Sequence, residues 1–248
     1  MRKPYQTTQA SNWFMAKPFY QRYMLREVTC IPMAIYVLNL MSGVAALATS
    51  QVKWMSWIEM QKSPLMILFT LITLAVALFN TYTWFETTPK VMKVQQGDKF
   101  VPEKTILGAH WAVFGVLALI YSSSPSRVHK ENTMSKPKNM KSVYWSLFAA
   151  GGMIAALVLP TLIAILSLLL PLGMVGHPGS FYDTVSPLFQ NAFFYILIVG
   201  VLFLMLWHTA HRFYYVLHDF HIHVNITVRY ALYALVILAA LVTLFAGL

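Results

Sequence analysis

A few residues in this chain carry chemistry that their apolar surroundings do not call for. Arg26 and Glu27 stand side by side at the start of a long apolar run, and Asn80 and Trp84 lie four apart near the end of the next. Residues four apart share a helical face. Trp145 stands at the entry of a later run. His208, His211 and Arg212 share a face at the exit of the one after, with His218 and Asp219 just beyond. Such a set suits two-electron, two-proton exchange with a lipid-soluble quinone. The indole N–H of Trp145 and the guanidinium of Arg212 can donate to the carbonyl oxygens. Glu27 and His211 are the groups that can exchange protons there.

Each residue also has a simpler reading. A Trp at a membrane boundary is an interfacial anchor, and an Arg near a helix end snorkels. An Asn inside an apolar span bonds a neighbouring helix. Tyr214 and Tyr215 read as belt residues, and His221 and His223 as a solvated loop. Glu27 is harder to dismiss, because a carboxylate at the membrane boundary is costly unless paired or used. Arg26 is its sequence neighbour, but adjacent helical residues do not face each other. The convergence of several such groups outweighs any one of them.

The elements that must position them are membrane helices. Of 248 residues, 58% are apolar and only 10% charged, against roughly 25% charged in a soluble domain. Six runs approach the roughly 20 residues needed to cross the hydrocarbon core: about 28–48, 65–85, 105–122, 146–170, 188–215 and 226–248. They show no period-two alternation, so a lipid-facing barrel is excluded and an all-α membrane protein is expected. The first 27 residues are polar, so the first run is expected to span rather than to act as a cleavable signal. The single cysteine, Cys30, rules out an iron–sulfur cluster held by this chain alone, and no metal site is expected.

Charge orients the spans. The 18 Lys+Arg against 8 Asp+Glu give a net +10, and the excess sits between the runs. Five basic residues precede the first span, four follow the second, five lie between the third and fourth, and none follows the fourth. The positive-inside bias therefore puts the N-terminus in the cytoplasm and the uncharged loop after span four outside. With six spans this produces a conflict: span three ends outside, yet span four must begin inside. Two three-span units that both start inside, meeting near Met134, resolve it, either as two subunits placed end to end or as a fusion whose polar linker crosses in a protected seam. On that assignment the polar residues above gather on the cytoplasmic face.

The residues also match a known pattern. The stretches FYQRYMLREVT (19–29) and LFNTYTWFETTPK (78–90) resemble the C-type membrane-anchor subunit of haem-free quinol:fumarate reductase. YWSLFAAGGM (144–153), LLLPLG (168–173) and HRFYYVLHDFHIHV (211–224) resemble its D-type anchor subunit. The resemblance implies a C-like unit over 1–133 and a D-like unit over 134–248, in a bacterial inner membrane. It implies a flavoprotein partner carrying FAD and an iron–sulfur partner carrying the clusters, so this chain is a non-catalytic anchor that contributes the quinone site. No haem is expected and menaquinol is the electron donor. Carried over by position, Arg26, Glu27 and Trp84 would form the site with Trp145, His211 and Arg212, and Glu27 would accept the proton. The family commonly has a histidine where this chain has Asn80, which bonds but does not shuttle protons.

Two alternatives remain open at this point. A haem b anchor needs two axial histidines, for which His110 in span three and His208 or His211 in span five are the candidates. A passive scaffold would hold soluble subunits through its basic face. A transporter fits least, because no span is broken mid-membrane by paired Gly/Pro positions.

Overall fold

The computed structural model describes residues 10–91, 95–96, 99–122 and 140–247, with the backbone alone at 91, 95, 96, 99, 117–122 and 140–147. Met134 and most of the basic segment around it lie outside the described residues. After a short 3-10 turn at Trp13–Met15 come α1 (Pro18–Val28), α2 (Cys30–Thr49), α3 (Gln51–Gln61) and α4 (Pro64–Val91). A two-residue antiparallel ladder, Gln95–Gln96 against Lys99–Phe100, leads to α5 (Glu103–Ser122). The second half holds α6 (Met140–Ala164), continued by a π turn at Ile165–Leu169, then α7 (Pro178–Phe189), α8 (Ala192–Asp219) and α9 (Ile226–Gly247).

Five of the described helical segments are long and apolar enough to cross a membrane: Pro18–Thr49, Pro64–Lys90, Phe148–Leu169, Ala192–Asp219 and Ile226–Gly247. The chain is a multi-pass membrane protein. The third expected span coincides with α5, which packs on α4 and α6. Large apolar side chains left exposed, such as Leu65, Leu68 and Ile72 on α4 and Leu235, Leu238 and Phe245 on α9, form the surface that lipid would cover.

Several boundaries differ from expectation for local reasons. Helix α4 runs on to Val91 because its threonines satisfy themselves within the helix. The hydroxyls of Thr83, Thr87 and Thr88 donate to the carbonyls of Phe79, Thr83 and Trp84, four residues back. Helix α8 begins at Ala192, not near Leu188, because the Asn191 side chain caps it, accepting from the Phe193 amide at 3.0 Å. Leu188 belongs instead to α7. Helices α3 and α7 fill segments expected to be loops. They meet through stacked Trp54, Trp57 and Phe181, and the Trp54 indole donates to the Pro178 carbonyl at 3.0 Å.

The two halves of the sequence interleave in space. Helix α2 packs chiefly on α8 and α9, and α4 chiefly on α6. The buried core is correspondingly shared: Met33, Tyr36, Val37 and Leu40 of α2 meet Leu159 and Ile163 of α6 and Leu202 and Met205 of α8. Backbone chemistry tightens the seam. Pro160 has no N–H, so the Ala156 carbonyl one turn earlier loses its intrahelical donor. The Thr81 hydroxyl of α4 supplies one at 2.7 Å. Nearby, α6 and α8 approach so closely that a Cβ added at Gly151 would collide with the Leu204 carbonyl oxygen. Small residues at such contacts let membrane helices pack backbone to backbone.

A Gly151→Ala chain should therefore be destabilised by about 1–3 kcal/mol, the range for overpacking a tight contact. A fall in the thermal midpoint of the detergent-purified protein checks this, and an unchanged midpoint would mean the helices separate freely.

Candidate functional site

The polar residues are brought to one end of the bundle by three local features. Pro32, on the first turn of α2, offers no N–H, and the chain turns at Thr29 between α1 and α2. The Thr29 hydroxyl donates to the Arg26 carbonyl at 2.5 Å, so that carbonyl faces the bundle. The threonine-bonded end of α4 carries Asn80 to the same level. Finally, α8 closes with His221 in the left-handed conformation (φ 58°), the Ile222 amide bonding the Leu217 carbonyl at 2.8 Å. This tight ending returns α9 over the last turns of α8.

Arg212, only 4% exposed, is the hub. Its Nε donates to Glu27 Oε2 at 3.0 Å and its Nη1 to Asn80 Oδ1 at 2.8 Å, while Nη2 donates to the Arg26 carbonyl. Arg26 and Glu27, for which facing was not assured by spacing, do pair: Nε and Nη2 of Arg26 reach Glu27 Oε1 at 3.2 and 3.1 Å. The Arg26 Nη1 adds a contact to Thr87 at 3.3 Å. Glu27 is thus held between two guanidiniums, one from each half of the chain. Asn80 also accepts from Thr29 at 3.4 Å. Two donors on Oδ1 fix its amide orientation, leaving Nδ2 buried with no partner among the described residues.

Beside this hub lies a cavity of about 690 Å³. Glu27 and Arg212 form one side of it with Tyr23. His211 forms another with Tyr233, whose hydroxyl lies 2.5 Å from His211 Nδ1. Phe148 and Tyr215 flank His211 with ring centroids 4.8 and 5.0 Å away. Arg229 and Tyr230 from α9 and Asp219 from the end of α8 complete the lining. The Tyr23 hydroxyl donates to Asp219 at 3.2 Å, and the Trp13 indole donates to the Asp219 carbonyl. The N-terminal segment is thereby fastened across the end of α8.

The remaining candidates lie elsewhere. Trp84 does not line the cavity; its ring sits 5.7 Å from that of His208, and both crowd Gly152. Trp145 is on the first turns of α6, and its side chain lies outside the described residues. His208 is fully buried, its Nδ1 donating to the Phe148 carbonyl at 2.9 Å, its ring stacked on Phe148. A Cβ on Gly152 would already fall 2.6 Å from His208 Cε1 and 2.7 Å from the Trp84 indole. His110 lies against Phe85 on α5, with Nδ1 2.7 Å from the Ile106 carbonyl. Among the described residues, no three His, Cys, Asp or Glu side chains gather as a metal site.

Comparison with known proteins bears on both halves. The family model for the fumarate reductase C subunit matches residues 1–123, and the one for the fumarate reductase D subunit matches residues 135–248. The fumarate reductase C subunit of Vibrio cholerae is 35% identical over 119 residues, which is 48% of this chain and 94% of that protein. The C subunits of Aliivibrio fischeri and Salmonella heidelberg are 31% and 36% identical over 119 residues each, 48% of this chain and 94% and 91% of those proteins. The chain belongs to the fumarate reductase C-subunit family. Its second half carries the D-subunit match in tandem, so the whole is a fumarate reductase membrane anchor.

Within this fumarate reductase anchor, three of the residues assigned to the quinone site from sequence line the cavity, Glu27, Arg212 and His211, together with Asp219 from the wider polar set. Arg26 and Asn80 support them from behind. Sequence reasoning missed Tyr23, Phe148, Arg229, Tyr230 and Tyr233 as lining, and set Tyr215 aside as a belt residue. A signal was available for the α9 group. The six residues 220–225 between α8 and α9 are too few to leave the membrane end, so the first turns of α9 must lie level with the last turns of α8. Tyr233 then falls one helical turn beyond Arg229, on the same face.

Removing the hub side chain takes away one of the two guanidiniums on Glu27 and the closer donor to Asn80 at once. Arg212→Met should cost about 3–5 kcal/mol, as for a buried pair deprived of one partner. Adding Glu27→Gln should restore part of it, because no carboxylate is then left short of one of its two guanidinium partners. Detergent unfolding of the single and double variants checks both; additive losses would show that the two side chains act independently.

Proposed function

We propose that this fumarate reductase anchor oxidises menaquinol at the cavity between Glu27–Arg212 and His211–Tyr233 and delivers the electrons to an iron–sulfur partner. The observation that carries the reading is that one cavity, within the 300–1,000 Å³ usual for small-ligand sites, is lined by two proton-active groups from different helices, Glu27 of α1 and His211 of α8. Menaquinol loses two electrons and two protons. The electrons leave through the iron–sulfur partner to the FAD of the flavoprotein partner, where fumarate is reduced to succinate. Glu27 takes one proton as a carboxylate; His211 takes the other. Arg212, charged throughout and fixed by Glu27, Asn80 and the Arg26 carbonyl, offers a donor field to the quinone oxygen at that end. Trp145, carried over from the family resemblance, would add an indole donor. Trp84 packs behind the site, against His208.

The soluble partners would cover the end of the bundle that carries the cavity. The positive-inside bias supports placing that end in the cytoplasm of a bacterium, with the N-terminus there and the chain in its inner membrane. A C-like unit at 1–133 and a D-like unit at 134–248 are supported by the match boundaries at 123 and 135. If α5 is the third of six spans, residues 123–139 must return to the starting side.

Glu27→Gln in the assembled complex should lower menaquinol-driven fumarate reduction, measured relative to reduction driven by an artificial dye, by at least about 100-fold, the usual worth of a positioned general base. An unchanged ratio would mean the cavity does not handle the quinol.

A further inference from the structure

Tyr233 sits on α9, a helix otherwise turned largely to lipid, and its hydroxyl lies 2.5 Å from His211 Nδ1. The two rings are within 2° of parallel, and the Trp207 ring stacks on Tyr233 at 4.2 Å. Phe148 and Tyr215 hold the other faces and edges of the imidazole. His211 is therefore fixed in plane, with one ring nitrogen engaged and Nε2 not committed to the Tyr233 hydroxyl. A base oriented by a hydrogen bond on its far nitrogen is the arrangement in which the near nitrogen's protonation state is set.

We propose that Tyr233 is a positioning residue for His211, its phenol oxygen accepting Nδ1–H so that Nε2 presents a lone pair to the quinol. This rests on the quinol reading of the cavity. The step balances: the quinol O–H bond breaks, its proton forms a bond to Nε2, and the electrons of the oxidised quinol leave for the iron–sulfur partner. In the resulting imidazolium, Nδ1–H still points at the same phenol oxygen, so no heavy atom must move. The second quinol proton goes to Glu27, on the side of the cavity fixed by Arg212. The proton-accepting pair of the site is thus split between the two halves of the chain, Glu27 from the first and His211 from the second, each with its own orienting partner.

Tyr233→Phe removes one oxygen and keeps the ring that Trp207 stacks on, so the fold is retained. In the assembled complex, with menaquinol as donor and dye-driven turnover as reference, Tyr233→Phe should lower kcat about tenfold and change KM less than about twofold, the loss expected when a general base keeps its place but not its tautomer. In a His211→Gln background the same substitution should lower kcat by less than about twofold, because there is no imidazole left to orient. An equal loss in both backgrounds, or a loss confined to KM, would reduce Tyr233 to packing and overturn the proposal. Failure of the quinol reading itself looks different: Glu27→Gln and His211→Gln would then leave the quinol-to-dye ratio unchanged as well.

Discussion

A guanidinium buried near one end of a helical bundle has to be answered from all sides, and Arg212 is answered by three groups that no single helix could supply. Glu27 and the Arg26 carbonyl come from the last turn of α1, and Asn80 from α4. A charge in or near the hydrocarbon region is tolerated only when paired or hydrated. Because all three partners belong to the first half of the chain and Arg212 to the second, the pairing requires the halves to interleave. Helix α8 cannot drift from α2 and α4 without stranding the charge. The same contact holds Glu27 beside the cavity, so the constraint that assembles the bundle also arms the proposed site.

A backbone defect does comparable work along the seam. Pro160 leaves the Ala156 carbonyl for the Thr81 hydroxyl to bond. Inside a membrane such freed groups have no water to turn to, so each must be met by a neighbour. Each becomes a directional link between helices, where apolar packing alone would specify little, since lipid competes for the same surfaces.

The sequence was informative where the physics is local. Long uncharged runs can only be helices in a bilayer, and the positions of the main helices follow from them. Glu27 and Arg212 stood out because charge at such positions is expensive, and both turned out to be central. Helices α3 and α7 were not legible, because their stability comes from Trp54, Trp57 and Phe181 stacking across a sequence separation of more than a hundred residues, which periodicity does not report. Arg26 pairs with Glu27 although neighbours on a helix point apart, since the long guanidinium stem can double back. The aromatic lining from α9 was hidden for a different reason: Tyr230 and Tyr233 look like ordinary belt residues until the short turn at His221 brings them over α8.

A second polar cluster, midway along α2, shows what one without a proposed chemistry looks like. There Asn39 and Gln61 exchange reciprocal hydrogen bonds at 3.1 and 3.2 Å, and the Trp57 indole donates to the Asn39 carbonyl. Neutral amides closed on each other leave no charge to hold and little left to offer a ligand. At the Glu27 end the groups are ionisable, come from both halves, and border open volume as well as bonding one another. A structural cluster gains by satisfying itself completely, whereas a site that exchanges protons must keep a carboxylate and an imidazole facing space that a substrate can fill. The contrast between the two clusters therefore favours the Glu27 end as the proposed site, and it follows from hydrogen-bond satisfaction rather than from the mere presence of polar residues in the membrane.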